Sequence, residues 1–145
     1  MLKYLLIVIL LFIINSCTSN TEIVIQDEVS INLRKWKNKN FSNYQFTLQI
    51  SCYCVENYTL PKQVVIKNNK IFSVGGVFYA EVNDPSFKTV EGYFKYIRNK
   101  QSKNPVQESL NFDPTMGYPT YIYFDISEMI ADEEIGYTIS NLIQL

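Results

Sequence analysis

An α+β domain is the expectation for this chain: an antiparallel sheet of about five strands with two helices on one face, in the order α-β-β-β-α-β-β and an optional last strand. Three observations predict it. Apolar residues recur at helical spacing in two separate stretches, a long stretch between them alternates strictly, and the elements do not follow one another as regular βαβ units, which would favour a parallel sheet. The 145 residues are room for one globular domain and hardly for two.

The first helix runs from Asp27 to about Asn38, because Val29, Leu33 and Trp36 fall on one face with Arg34, Lys35 and Lys37 outside. The single tryptophan is expected to pack on the sheet. Asn38-Lys39-Asn40 and Ser42-Asn43 break the pattern, and the period then changes to two. Tyr44, Phe46, Leu48, Ile50 and Cys52 alternate with Gln45, Thr47, Gln49 and Ser51, as in a strand with one wet face. Lys62 to Lys67 and Lys70 to Val74 are β-branched runs flanking Asn68-Asn69, and asparagine tolerates the positive φ of a tight hairpin turn. Gly75-Gly76 ends this meander. Val90, Tyr93, Phe94 and Ile97 form a second helical face, with Thr89 as candidate N-cap, Glu91 four residues ahead of Lys95 on the other face, and Asn104-Pro105 as the stop. A strand pair follows, Glu108 to Phe112 and Tyr121 to Asp125, joined by the turn-rich Asp113 to Pro119. Tyr137 to Leu142 is the optional last strand.

The composition excludes several classes of function. With 13 Lys+Arg against 14 Asp+Glu, the chain is neither a polybasic nucleic-acid binder nor a long disordered acidic protein. It has no histidine, so the commonest general base and zinc ligand is missing. No nucleophile elbow or phosphate loop is present. The expectation is a protein that is not an enzyme, has no resident cofactor and binds no nucleic acid.

The N-terminus carries an address. Lys3 precedes an uninterrupted apolar run from Leu5 to Ile14, then Asn15-Ser16-Cys17. About ten apolar residues span roughly 15 Å as a helix, half of a bilayer's hydrocarbon core, so a secretory signal fits better than a transmembrane helix. Ile14-Asn15-Ser16-Cys17 resembles a bacterial lipobox. The resemblance implies removal of residues 1–16 as a signal peptide and thioether lipidation of Cys17. Residues 17–26, polar and without glycine or hydrophobic period, then read as a flexible tether, and residues 27–145 as one domain. A diacyl or triacyl cysteine holds a protein in a membrane where one chain binds only reversibly. The expected partner on that side is the membrane itself, reached through lipid.

The pieces along the domain resemble a family of small bacterial lipoproteins defined only by a domain of unknown function. They are Trp36; Tyr44 through Cys52-Tyr53-Cys54; Thr89-Val90-Glu91-Gly92-Tyr93-Phe94; Phe112-Asp113-Pro114 with Gly117-Tyr118-Pro119; Tyr121 to Asp125; and Ala131-Asp132-Glu133-Glu134-Ile135-Gly136-Tyr137. Phe112 stands where Tyr is expected, and residues 77–84 match nothing in the pattern. The resemblance implies a lipid-anchored protein of the cell envelope and carries over no catalytic residue.

Three groups of residues are candidates for function. Cys52 and Cys54 remain as a pair once Cys17 carries lipid. Side chains two apart on a regular strand are about 6 to 7 Å apart, too far for a disulfide unless the chain turns at Tyr53. A structural disulfide at such a turn, two separate thiols, and a redox or soft-metal pair all stay open. Asp125, Glu128, Asp132, Glu133 and Glu134 supply hard oxygen ligands suited to calcium, although the EF-hand spacing is absent. A solvated loop or an acidic helix turn explains them equally. Finally, Tyr118, Tyr121, Tyr123 and Tyr137 stand out among 11 Tyr and 9 Phe. Tyr121 and Tyr123 alternate with Ile122 and Phe124 and should point away from the core, where tyrosines suit contact with an envelope protein or a glycan. Cross-strand aromatic pairing that only stabilises the sheet is the bland alternative. The functional expectation is a lipid-anchored binding or accessory module, with a calcium- or ligand-binding domain and a thiol redox or metal-handling lipoprotein behind it.

Overall fold

The computed structural model describes residues 27–129 and 134–145. In chain order the described elements are α1 (Glu28–Lys37), β1 (Tyr44–Ser51), α2 (Glu56–Thr59), β2 (Lys62–Lys67), β3 (Lys70–Val74), β4 (Val77–Phe78), α3 (Tyr79–Val82), α4 (Val90–Gln101), β5 (Gln107–Phe112), β6 (Pro119–Asp125) and β7 (Gly136–Gln144). The strands form one antiparallel sheet in the order β4-β3-β2-β1-β7-β6-β5. The class is α+β, as the sequence predicts.

The long helices end where their sequences say. The Asp27 carboxylate accepts from the Ser30 N–H at 2.9 Å, and Arg34, Lys35 and Lys37 occupy the last turn of α1, where they meet the negative end of the helix dipole. Thr89 caps α4 by accepting from the Gly92 N–H at 3.1 Å. Each helix turns its apolar stripe to the same side of the sheet. Val29 and Trp36 of α1 and Val90, Tyr93, Phe94 and Ile97 of α4 are buried against Tyr44, Phe46, Leu48 and Ile50 of β1, Ile122 and Phe124 of β6, and Ile139 of β7. Trp36 meets the Tyr44 ring edge-on at 5.1 Å, and Phe94 stacks on Phe112 at 5.9 Å.

The sheet corrects the expected count: seven strands, not about five, and two single-turn helices besides the two long ones. Gly75 and Gly76, at φ 57° and 83°, do not end the meander but reverse it, returning Val77 beside Val74. A two-residue strand such as β4 and one-turn helices such as α2 and α3 are too short to show a period. Asn68 and Asn69 take φ 50° and 60° in the β2–β3 turn, as predicted. The optional strand is present and extends over Gly136–Gln144. It is also an interior strand of the sheet, between β1 and β6. At Asn141, φ 53°, it carries a bulge against β1 that turns Leu142 inward and leaves Ile143 exposed.

Candidate functional site

The face of the sheet away from the helices is uncovered. Gln45, Thr47 and Gln49 of β1, Thr138 and Ser140 of β7, Tyr121 and Tyr123 of β6, and Ser109 and Asn111 of β5 lie on it, as the register requires. Tyr121 is opposite Thr138 on one side and Asn111 on the other, and Tyr123 is opposite Ser109. Both rings are half-buried. Partial desolvation and then the carboxylates of Glu134 and Asp125 push the Tyr123 hydroxyl's pKa up, so it remains a donor.

The other two tyrosines of the predicted surface are not on it. Tyr137 is 2% exposed and Tyr118 6%. Tyr137 faces the core because it pairs with Ile50 and Ile122. Its ring lies 5.3 Å from those of Tyr93 and Tyr96 beneath α4. Tyr118 closes the β5–β6 connection, where its carbonyl accepts from the Asp113 N–H at 2.9 Å. The Asp113 carboxylate accepts from the Thr115 and Met116 N–H groups at 2.9 and 2.7 Å. At Gly117, φ +81°, a β-carbon would lie 2.5 Å from the Asn32 carbonyl and 2.7 Å from the Lys35 Cβ of α1. The Phe112-Asp113-Pro114…Gly117-Tyr118-Pro119 motif is therefore a docking loop for α1.

A polar cluster that the sequence did not reveal lies at the same C-terminal end of α1, around Trp36. Glu91 was expected on the exposed side of α4, four residues from Lys95. Instead its carboxylate accepts from the Trp36 indole N–H at 2.6 Å and the Tyr44 hydroxyl at 3.3 Å, and that hydroxyl in turn accepts from the Val90 N–H at 3.1 Å. Burial, reinforced by the Glu91 charge, raises the Tyr44 pKa far above its ordinary value and keeps the phenol a donor. A cleft of about 520 Å³ opens beside this cluster, between the end of α1, the Asn69 turn and the start of α4, with Lys37 and Lys95 on its rim. The legible signal was that Trp36, Tyr44 and Glu91 each belong to the recurring pattern.

Tyrosines cement the loop before α4. The Tyr93 hydroxyl donates to the Ser86 carbonyl at 3.1 Å, Tyr58 to the Ser86 hydroxyl at 2.8 Å, and Tyr79 to the Asp84 carbonyl at 2.9 Å. The Lys88 ammonium donates to the Pro85 carbonyl and lies 5.2 to 5.7 Å from the rings of Tyr96, Tyr137 and Tyr93. Burial lowers its pKa, against the pull of Asp84. All its partners are internal, which makes this network a structural one.

A disulfide joins Cys52 and Cys54, whose Cα atoms are 5.2 Å apart. The separation is shorter than that of a regular strand, because β1 ends at Ser51 and the chain bends through Tyr53, which is 88% exposed. Of the acidic group, the Asp125 carboxylate accepts from the Ser127 N–H at 3.0 Å, Glu128 is exposed and Glu134 half-buried. Asp132 and Glu133 lie outside the described residues, as does Cys17. Among the described residues no three His, Cys, Asp or Glu side chains converge as metal ligands, and no helix is long and apolar enough to cross a membrane.

Fold and surface together define an α+β domain with one helix-covered and one open sheet face, closed at one end by a short disulfide loop. The chain belongs to a family of unknown function, DUF6174, which matches residues 28–144. No curated protein and no solved structure matches it.

Proposed function

We propose that this chain is a lipid-anchored lipoprotein of the bacterial cell envelope, acylated at Cys17, and that its domain is a non-enzymatic binding or accessory module. The open sheet face is its contact surface, and an envelope protein or glycan is its partner. The observation that carries this reading is the side-by-side display of Tyr121 and Tyr123 on the uncovered face, ringed by Ser109, Asn111 and Thr138. Flat apolar rings with polar tips and only two rotatable side-chain bonds bind partners at small entropic cost, and short hydroxyl and amide neighbours adapt their hydrogen bonds to the surface presented. The antiparallel sheet supplies a rigid platform for such a display.

Site-specific photo-cross-linking in intact cells tests it. A photoreactive residue in place of Tyr123 is expected to give a discrete adduct that one in place of Lys95, on the helix side, does not. Equal labelling from both positions, or none from Tyr123, would overturn the assignment of the face. Cys17→Ser is expected to abolish incorporation of labelled fatty acid and to release the protein from the membrane fraction. Retention of both label and membrane association in that variant would sink the anchor.

A further inference from the structure

The chain enters the domain and exposes most of its large apolar side chains at the same end of the sheet. Asp27, the first described residue, is held by Arg98 at 2.7 Å. Arg98 and Gln101 sit at the end of α4, where the Gln101 amide donates to Glu108, near the start of β5, at 3.3 Å. The start of β5 pairs with the end of β6 at Asp125. β7 begins at this end too, with Gly136 beside Ser51, the last residue of β1. Beyond that rim lie Tyr53 at 88% exposure and Val55 at 76%, in the disulfide loop, and Leu60 at 50% after α2. Val106 at 53% precedes β5 and Met129 at 93% follows β6. Leu60 and Val77 also line one apolar cleft with Tyr58, Val74 and Phe87. At the opposite end Ile143 and Leu145 are exposed, and Phe72 and Phe78 pair with each other on β3 and the edge strand β4.

We infer that this end is the membrane-facing surface of the domain, with Tyr53, Val55, Leu60, Val106 and Met129 resting in the interfacial layer of the bilayer. The inference rests on the anchoring reading and adds an orientation to it. Nine residues lie between Cys17 and Asp27, ten Cα-to-Cα steps with a reach of about 36 Å at most. Because that tether leaves the domain at the apolar end, it holds these side chains against the lipid and leaves the tyrosine face standing upright and free. A second weak membrane contact next to a covalent anchor gains from high effective concentration and requires little affinity of its own. Glu56, Lys62, Lys103, Glu108, Asp125 and Glu128 mix both signs around the rim, so apolar insertion and not charge attraction does the binding, and zwitterionic lipid suffices.

The acylated mature chain, residues 17–145, in phosphatidylcholine vesicles brominated near the carbonyl end of the acyl chains gives the test. Trp36, buried at 2% exposure, is the fixed background. Added emission from Val55→Trp and from Val106→Trp is expected to fall about twofold, since interfacial side chains sit about 5–10 Å into the headgroup–acyl boundary. Added emission from Ile143→Trp is expected to stay unchanged. If the protein floats with the vesicles yet Val55→Trp and Val106→Trp are quenched no more than Ile143→Trp, the orientation is overturned and the apolar end belongs to a protein partner. If the protein does not float, the anchor itself fails, and the orientation with it.

Discussion

Asp27 illustrates how single residues join the parts of this molecule. Its carboxylate caps α1 and pairs with Arg98 of α4, 71 positions away in sequence. The Ser30 N–H, first, and the Arg98 guanidinium hold its pKa below the ordinary 3.8. A depressed carboxylate contributes stability that is fully present above the unfolded value, here 3.8, and is lost as pH falls through the lower folded value. Arg98→Met should therefore raise the Asp27 pKa only part of the way, because the larger cause, the backbone donor, remains. Carboxyl NMR titration reads this, and a full return to the ordinary value would contradict it. Glu91 teaches the complementary lesson. The i, i+4 spacing to Lys95 is a true sequence pattern, but two donors from distant elements, the Trp36 indole and the Tyr44 phenol, outcompete a solvated lysine because hydrogen bonds to a charged group strengthen where water is partly excluded.

At the scale of elements, whatever carries a period was readable. The alternation of β1, the Asn68-Asn69 hairpin, both helical stripes and the Thr89 N-cap lie where the sequence places them. Elements of two to four residues were not, since β4, α2 and α3 are fixed by tertiary neighbours and not by their own pattern. The candidate surface divides the same way. Tyr121 and Tyr123 obey the alternation of β6, whereas Tyr118 sits in a loop where alternation has no meaning, and Tyr137 faces inward by its register with β1 and β6. The docking loop yields a prediction of its own. Gly75 and Gly117 both have positive φ, but a β-carbon at Gly75 meets open space. Gly75→Ala should cost about 1 kcal/mol, the left-handed backbone penalty alone. Gly117→Ala adds collision with the backbone of α1 and should cost at least about 3 kcal/mol. Denaturant midpoints compare the two, and equal costs would mean that the loop does not brace α1.

For the molecule as a whole, β7 decides whether there is one sheet or two. It alone joins β4-β3-β2-β1 to β6-β5, and Ile139 at its centre is 1% exposed. Ile139→Asp places an unpaired charge in that seam, a cost of several kcal/mol against a total stability of about 5–15 kcal/mol. It should abolish cooperative thermal unfolding followed by circular dichroism. Thr138→Asp, one residue away on the open face, should keep a sharp transition. If both variants melt alike, the seam is not the keystone.

The last described strand in chain order thus lies inside the sheet, between β1 and β6. Until residues 136–144 have emerged, the earlier segments have no shared partner and the helices no complete surface to lie on. A polypeptide wired in this order stays open while it is being made and closes its sheet only once β7 is available to both halves.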